Sequence, residues 1–492
     1  MLACLRISSL RPVVVLVAVL WAILPLLPAL LRGELPGSPY TDLYPSVWGL
    51  DVFTSGLPGL VTHTTRMGAP GGIGFYYSSP LHGLLGWPVH ALAGPDAAYV
   101  ATLVVARAAT VWFCWEWLVD LGRPPIPALA GALLFGASPF FHGYAAEGIV
   151  EGTDGWALAL WAWMVSARRP VAAAFALGLC ILASWYLGMV ACALAALAAL
   201  RLPTARWSLL GFLVAPVAFS AFHGAFGGNA PLDDTLRAAM GAPFGFATPW
   251  FLGGTPFALN TFVGVSAVVI GVLARHRSPV FVAGALLCLV LSTGRGPWWH
   301  LPVLEMVRFP YRWHAGTLLC LAALVSAMEV RAVWLFLPWL EGLLLGPIHP
   351  VVPGAPRELP TVYEAVTPTV LLELPGPLAL PPGVPNPSRP RARWFLYAQL
   401  QTGAASPWTL DFNGIAHDGD AAWLDSFRSW DRALGVEPIA PDLVGARDAG
   451  VHQAMVHRDL YGPERAARLE AALVAGGAFL AEEDGERALY RF

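Results

Sequence analysis

Asp42 stands in the run Ser38-Pro39-Tyr40-Thr41-Asp42-Leu43-Tyr44-Pro45, with Trp48 and Asp51 close behind. A carboxylate set among aromatic rings can take a proton from an attacking hydroxyl, or ligate a cation. The plainer alternative is an aspartate that starts a helix, since Thr-Asp before an apolar run is ordinary capping chemistry. A second group of ionisable side chains follows downstream: His142, Glu147, Glu151 and Asp154. If 144–151 is helical, Glu147 and Glu151 share a face at i, i+4. That pair would accept sugar hydroxyls or bind a divalent cation, and the alternative is an ordinary wet loop. The third group is Arg308 and Arg312, four apart around Pro310, with Trp298, Trp299, Tyr311 and Trp313 nearby. Guanidinium groups take phosphate in a fork geometry and stay charged. Arginines and rings also serve as simple membrane anchors. Arg107 falls inside an apolar run, which makes it a site candidate in its own right. Its nine-residue spacing from Glu116 does not pair the two on one helix face, so a partner on another helix is expected. No Walker loop, GxSxG, HExxH or EF-hand pattern occurs.

The elements that must hold these residues are membrane helices. The 492-residue chain is 57% hydrophobic and 12% charged. Soluble domains carry about 25% charged residues. A larger soluble core does not account for the difference, because soluble chains split into domains instead. The 21 Trp residues suit interfacial belts. Net charge is -3, and every basic residue is Arg. With no basic block, nucleic acid is excluded as a partner.

Apolar runs cover Pro12 to Leu31 and about 97–118, 126–143, 153–167, 170–185, 186–200, 207–224, 260–275, 279–293, 311–328 and 331–347. They predict about eleven transmembrane helices, several of them shorter than a perpendicular span of about 20 residues. The boundary between 170–185 and 186–200 sets the parity of the whole topology. The stretch 81–95 is broken by Pro88 and reads as re-entrant or interfacial. With the N-terminus inside, the inner turns hold Arg6, Arg11, Arg123, Arg168, Arg169, Arg201, Arg206, Arg275, Arg277 and Arg331. The outer loops hold Glu34, Asp42, Asp51, Glu147, Glu151, Asp154, Asp233 and Asp234. This is the positive-inside pattern. It places the C-terminus outside.

The character changes near His349. Residues 1–347 read as a transmembrane domain with large outer loops, and 348–492 as an extracytoplasmic α/β domain. Segment 348–390 is Pro-rich with one strand-like run, Thr369 to Leu374. Strands are also expected at Trp394 to Tyr397, Val451 to Val456 and Ala488 to Phe492. Helices are expected at Ala421 to Leu434 and Pro463 to Ala475. The six cysteines, Cys4, Cys114, Cys180, Cys192, Cys288 and Cys320, all precede residue 347. The outer domain therefore has no disulfide framework.

These motifs in this order resemble the GT-C superfamily of membrane glycosyltransferases, which use polyprenyl-phosphate-linked sugars. The resemblance rests on Tyr40-Thr-Asp42-Leu-Tyr44 after the first helix, Met67-Gly-Ala-Pro-Gly-Gly-Ile-Gly74, and Ser78-Ser-Pro-Leu-His82. It rests also on Gly131-Ala-Leu-Leu-Phe135-Gly-Ala-Ser-Pro139 leading into the second outer loop, Arg308-Phe-Pro-Tyr-Arg312, and the tail Gly450 to His457 and Leu489 to Phe492. It implies a mostly α, polytopic bundle in a bacterial inner (plasma) membrane, with a cytoplasmic N-terminus and a periplasmic C-terminal α/β domain. It implies a hexosyl- or pentosyltransferase working at the outer face. The donor would be a polyprenyl-phosphate sugar, and the acceptor an envelope glycan or lipid. Asp42 would be the catalytic base, and His142, Glu147, Glu151 and Asp154 would assist or bind acceptor. Arg308 and Arg312 would bind the donor phosphate. The paired acidic signature and the WWD-like motif of oligosaccharyltransferases are absent, and Trp298-Trp299 is followed by His300. A divalent cation and an oligosaccharide donor are both left open by those departures. Two other readings fit the composition: a non-catalytic scaffold of envelope biogenesis, and a transporter or flippase. Outer-edge clustering of the polar groups disfavours the last.

Overall fold

The computed structural model describes residues 2–59, 61–218, 238, 261–276, 278–301, 304, 307, 309–346, 351–376, 389–408, 422–431 and 438–492. Arg308, Arg277, His223, Asp233, Asp234, the end of the 207–224 run and residues 348–350 and 377–388 of the Pro-rich segment lie outside them. The described chain is mostly helical and divides into two compact units. Of the described residues, one unit holds 2–38, 77–218, 238 and 261–355, and the other holds 39–76 and 356–492. The first outer loop, grouped by the sequence with the membrane half, thus clusters with the C-terminal residues.

In the first unit, apolar sequence on every helix face means that each helix must find either other helices or lipid. Val171 and Phe175 are 83% and 68% exposed one turn apart, an outward face with no polar group to offer water. Two helical stretches are long and apolar enough to cross a membrane, Pro80–Asp120 and Pro125–Glu147. Shorter apolar helices include Leu10–Ile23, Pro170–Ala183, Trp185–Ala199, Val265–Ala274, Pro279–Ser292 and Val333–Leu345. The pair Pro170–Ala183 and Trp185–Ala199 is separated by Ser184 in extended conformation, so the doubtful boundary is a real break. Small residues let the helices close up. A Cβ on Gly131 would stand 2.6 Å from the Ala322 carbonyl oxygen of the His314–Val325 helix.

The 41-residue stretch Pro80–Asp120 is two helices joined at Gly94 (φ 81°, ψ 179°). The break falls at Gly94-Pro95, not at Pro88, because only glycine adopts that backbone freely and a proline suits a helix start. The helix on the C-terminal side runs antiparallel to Leu2–Ile23. Arg11 pairs with Glu116 at 3.2 Å, while Arg107 reaches the Trp21 carbonyl. Ser166 donates to Asp120 at 3.0 Å, and Arg123 to Ser278 at 3.5 Å. The turns that the sequence assigns to the inner side therefore gather at one end of this unit. At the other end the Tyr99 hydroxyl donates to the Pro36 carbonyl, and Ser38 N–H to the Ala146 carbonyl.

The second unit is built on a four-stranded sheet: β1 (Val370–Leu374), β2 (Val451–His457), β3 (Phe479–Glu483) and β4 (Arg487–Arg491), in the order β1-β2-β4-β3. β1 and β2 are parallel and the remaining pairs antiparallel. The helices Ala422–Asp431 and Pro463–Ala475 supply Phe427, Trp430, Leu469 and Leu473 to the apolar core on the sheet. Trp394 to Tyr397, expected as a strand, lies in the helix Arg389–Thr402. Its consecutive apolar residues are buried on several sides, against Tyr363, His457 and Tyr44, and such a run has no period to separate strand from helix.

Candidate functional site

The segment read from the sequence as the second outer loop is made by two short turns. The helix Pro139–Glu147 is started by Ser138, whose hydroxyl accepts from Phe141 N–H, and it ends at Gly148 in the left-handed region (φ 71°). A 3-10 turn, Val150–Gly152, and then the helix Gly155–Ser166 follow. Residues 144–151 are therefore not one helix. Glu147 and Glu151 do not form the expected i, i+4 pair, because glycine at this position ends the helix.

Asp154 is fully buried. Its carboxylate accepts from Ser79 Oγ at 3.1 Å and from Trp156 Nε1 at 3.0 Å, and His82 Nδ1 lies 3.6 Å away. Buried carboxylates are costly unless such donors meet them. The helix break at Gly94 makes this meeting possible. A Cβ on Gly155 would touch Thr110, so His82 lies near Thr110. A straight helix would hold those two about 42 Å apart. Tyr77 lies within electrostatic reach of Asp154 and Glu151, and burial, with Asp154 adding to it, pushes its hydroxyl pKa up. Ser79 and His82 belong to the Ser78-to-His82 motif, yet sequence reasoning gave them no role, because their partner is 75 residues away from Ser79.

Glu151 and Arg312 form an ion pair, with side chains 18% and 7% exposed. The Arg312 guanidinium lies 4.3 Å from the Tyr186 ring centroid, 4.8 Å from Phe309 and 5.7 Å from Tyr144. Tyr144 and Tyr311 stack at 6.3 Å. An arginine boxed by rings and one carboxylate is held in one orientation, with its forked N–H donors suited to an oxyanion. Glu147, at the end of its helix, acts electrostatically on Tyr311. His142 faces another way. Its Nδ1 is 3.5 Å from Arg107 Nη2, and its ring is 5.9 Å from Trp21.

Asp42 belongs to the second unit. It occupies the N-cap position of the helix Leu43–Ser55, and its side chain makes no capping hydrogen bond. The plain capping role is therefore not the one it plays. The helix behind it is firmly held. Tyr44 donates to the Pro356 carbonyl at 3.0 Å and faces Tyr397 at 5.0 Å. Trp48, with no exposed surface, donates to Gln399 Oε1 at 2.8 Å. Asp51 pairs with Arg66, and the 66–69 segment is bonded through its backbone to Ser406 and Trp408. Among the described residues, no three His, Cys, Asp or Glu side chains gather as a metal cradle.

No family model and no curated protein matches the chain. Solved structures do. The arabinofuranosyltransferase AftD from Mycobacteria aligns over 98% of this chain and 40% of its own length, at 17% identity and a TM-score of 0.59. The Archaeoglobus fulgidus oligosaccharyltransferase in its apo form aligns over 91% of this chain and 69% of its own, at 10% identity and a TM-score of 0.51. The same enzyme tethered to an acceptor peptide aligns over 94% and 71%, at 12% identity and a TM-score of 0.51. This chain spans 40% of the length of the arabinofuranosyltransferase. Both proteins belong to the GT-C superfamily, and this chain has the GT-C fold.

Proposed function

We propose, from the GT-C fold, that the protein is a membrane glycosyltransferase that moves a sugar from a polyprenyl-phosphate donor to a cell-envelope glycan or lipid at the outer face of the membrane. Residues 1–347 form its transmembrane domain of about eleven helices, with the N-terminus cytoplasmic, and 348–492 its extracytoplasmic domain. The gathering of Arg11, Arg123 and the 166–169 turn at one end supports that orientation.

Asp42 is the base. It takes the proton of the acceptor hydroxyl as that oxygen bonds to the anomeric carbon. The bond from that carbon to the phosphate oxygen breaks, and the polyprenyl phosphate leaves with the electron pair. One displacement inverts the anomeric centre. Arg312, with Arg308, takes the phosphate charge as it grows, where fixed cations outdo water. Glu151 orients Arg312 before donor arrives, and Asp154, Glu147 and His142 shape the second outer loop for acceptor hydroxyls.

The single observation carrying this reading is the placement of Asp42. Its carboxylate is not used to cap its own helix, while that helix is clamped by Tyr44 and Trp48. Catalytic groups are held in this way. The test is incubation of purified full-length protein in lipid nanodiscs with a panel of polyprenyl-phosphate pentoses and hexoses plus envelope-lipid acceptors, read by mass spectrometry and NMR. Consumption of one donor with inverted anomeric configuration in the product is expected. Retention of configuration, or no consumption by folded protein with any donor, would favour the scaffold reading or a different chemistry.

A further inference from the structure

Arg107 is 2% exposed and sits in a membrane helix. Glu116 on the same helix is paired with Arg11, and among the described residues Arg107 has no carboxylate partner. Its Nη2 donates to the Trp21 carbonyl at 3.3 Å and lies 3.5 Å from His142 Nδ1. Both contacts are longer than the 2.7–2.9 Å usual for a charged donor meeting an anion. Among the described residues, Arg107 Nε meets no acceptor, and neither does the buried indole N–H of Trp21 or of Trp339. The guanidinium is 5.4 Å from the Trp21 ring centroid, which is 6.2 Å from that of Trp339. Three helices thus bring together one full positive charge and several N–H donors around very few acceptors. Such surroundings suit an anion with several oxygens. Leu24, three residues beyond Trp21, and Leu340, next to Trp339, are exposed and apolar, so lipid-facing surface lies beside both tryptophans, and an intramembrane arginine draws headgroups and water inward.

We propose that Arg107, Trp21 and Trp339 form a binding site for the phosphate group of a membrane lipid. It is distinct from the Glu151–Arg312 pair. Arg107 meets His142 and Arg312 meets Tyr144, two residues apart on one helix and so about 200° around it. The site does not depend on sugar transfer, and its test can fail or succeed whatever becomes of the transferase reading. The competing account is that Arg107 merely caps the last turn of the first helix through the Trp21 carbonyl.

Full-length protein, stripped of lipid in neutral detergent, is titrated with phosphatidylglycerol, polyprenyl monophosphate and uncharged diacylglycerol, and bound lipid is counted by native mass spectrometry. Wild type is expected to retain the two phosphate lipids and not diacylglycerol. Arg107→Gln should weaken retention at least tenfold, and Trp339→Phe, which keeps an aromatic ring and loses the indole N–H, about threefold. If Arg107→Gln does not fold, Trp339→Phe carries the test. Displacement of lipid by millimolar inorganic phosphate supports the site and makes its source a free anion. Resistance to phosphate supports a lipid source. Equal retention in wild type and the variants, or equal retention of diacylglycerol, overturns the proposal and leaves Arg107 as a helix cap.

Discussion

Asp154 shows what one buried carboxylate asks of its neighbours. Ser79 and Trp156 each supply a hydrogen bond, with His82 alongside. Ser79→Ala leaves part of that carboxylate unsatisfied in a dry site, and about 1–3 kcal/mol of stability should be lost. Chemical denaturation in detergent measures it, and a change within error of zero would mean that water replaces the hydroxyl. The same logic applies to Trp48 and Gln399. Trp48→Phe strands a buried amide oxygen and should cost about 1–3 kcal/mol, while adding Gln399→Leu should recover part of it. Both are positioning residues for the Asp42 helix. Trp48→Phe should therefore lower kcat for sugar transfer with the donor KM unchanged. A change in KM alone would assign Trp48 to donor binding instead. Asp42 and Glu151 were visible in the sequence as chemistry-bearing residues near an apolar edge. Their partners were not visible, because a partner's identity is a three-dimensional fact and only the Arg308-to-Arg312 motif hinted at one.

The helices follow the sequence closely where local rules act alone. Pro170, Pro203 and Pro279 start helices, and Gly148 ends one. The rules mislead where two signals compete. Pro88 is tolerated inside a helix, while Gly94-Pro95 breaks it, because a positive φ interrupts the hydrogen-bond ladder and a proline in a membrane helix need not. Trp394 to Tyr397 reads as a strand by composition and is a helix by burial. Close approach between helices was not legible, because it depends on which helix lies opposite each glycine. Gly131 lies against Ala322 so tightly that Gly131→Leu has no room, and overpacking of this kind costs about 1–3 kcal/mol or more. Thermal melting in nanodiscs should fall for Gly131→Ala, whose Cβ would meet the Ala322 carbonyl oxygen at 2.6 Å, and fall further for Gly131→Leu. Equal, unchanged melting of both variants would mean that this helix contact is looser than described.

At the scale of the molecule, composition alone predicts a lipid-facing half and an outer one, because apolar excess of this size has no other solvent. The sequence divided them by position along the chain, at 347/348. The compact units divide otherwise, since 39–76 cluster with the C-terminal residues. The reason is physical: Trp48, Tyr44 and the 66–69 backbone find their partners at Pro356, Tyr397, Gln399, Ser406 and Trp408, a pairing that linear reading does not anticipate. The second unit is thus the scaffold of the segment that carries Asp42, and removal of residues 356–492 should abolish transfer even where the first unit inserts normally. Binding of donor lipid by the truncated, inserted chain would check that the loss is in chemistry. The most direct measurement is the single-turnover rate of sugar transfer from a polyprenyl-phosphate donor by wild type and Asp42→Asn in the same nanodiscs. The two side chains are nearly isosteric, and general-base loss costs about 10²–10⁴-fold. The account predicts a rate reduced by that factor with donor binding unchanged, and an equal rate in the two proteins would contradict the assignment of Asp42 as the base.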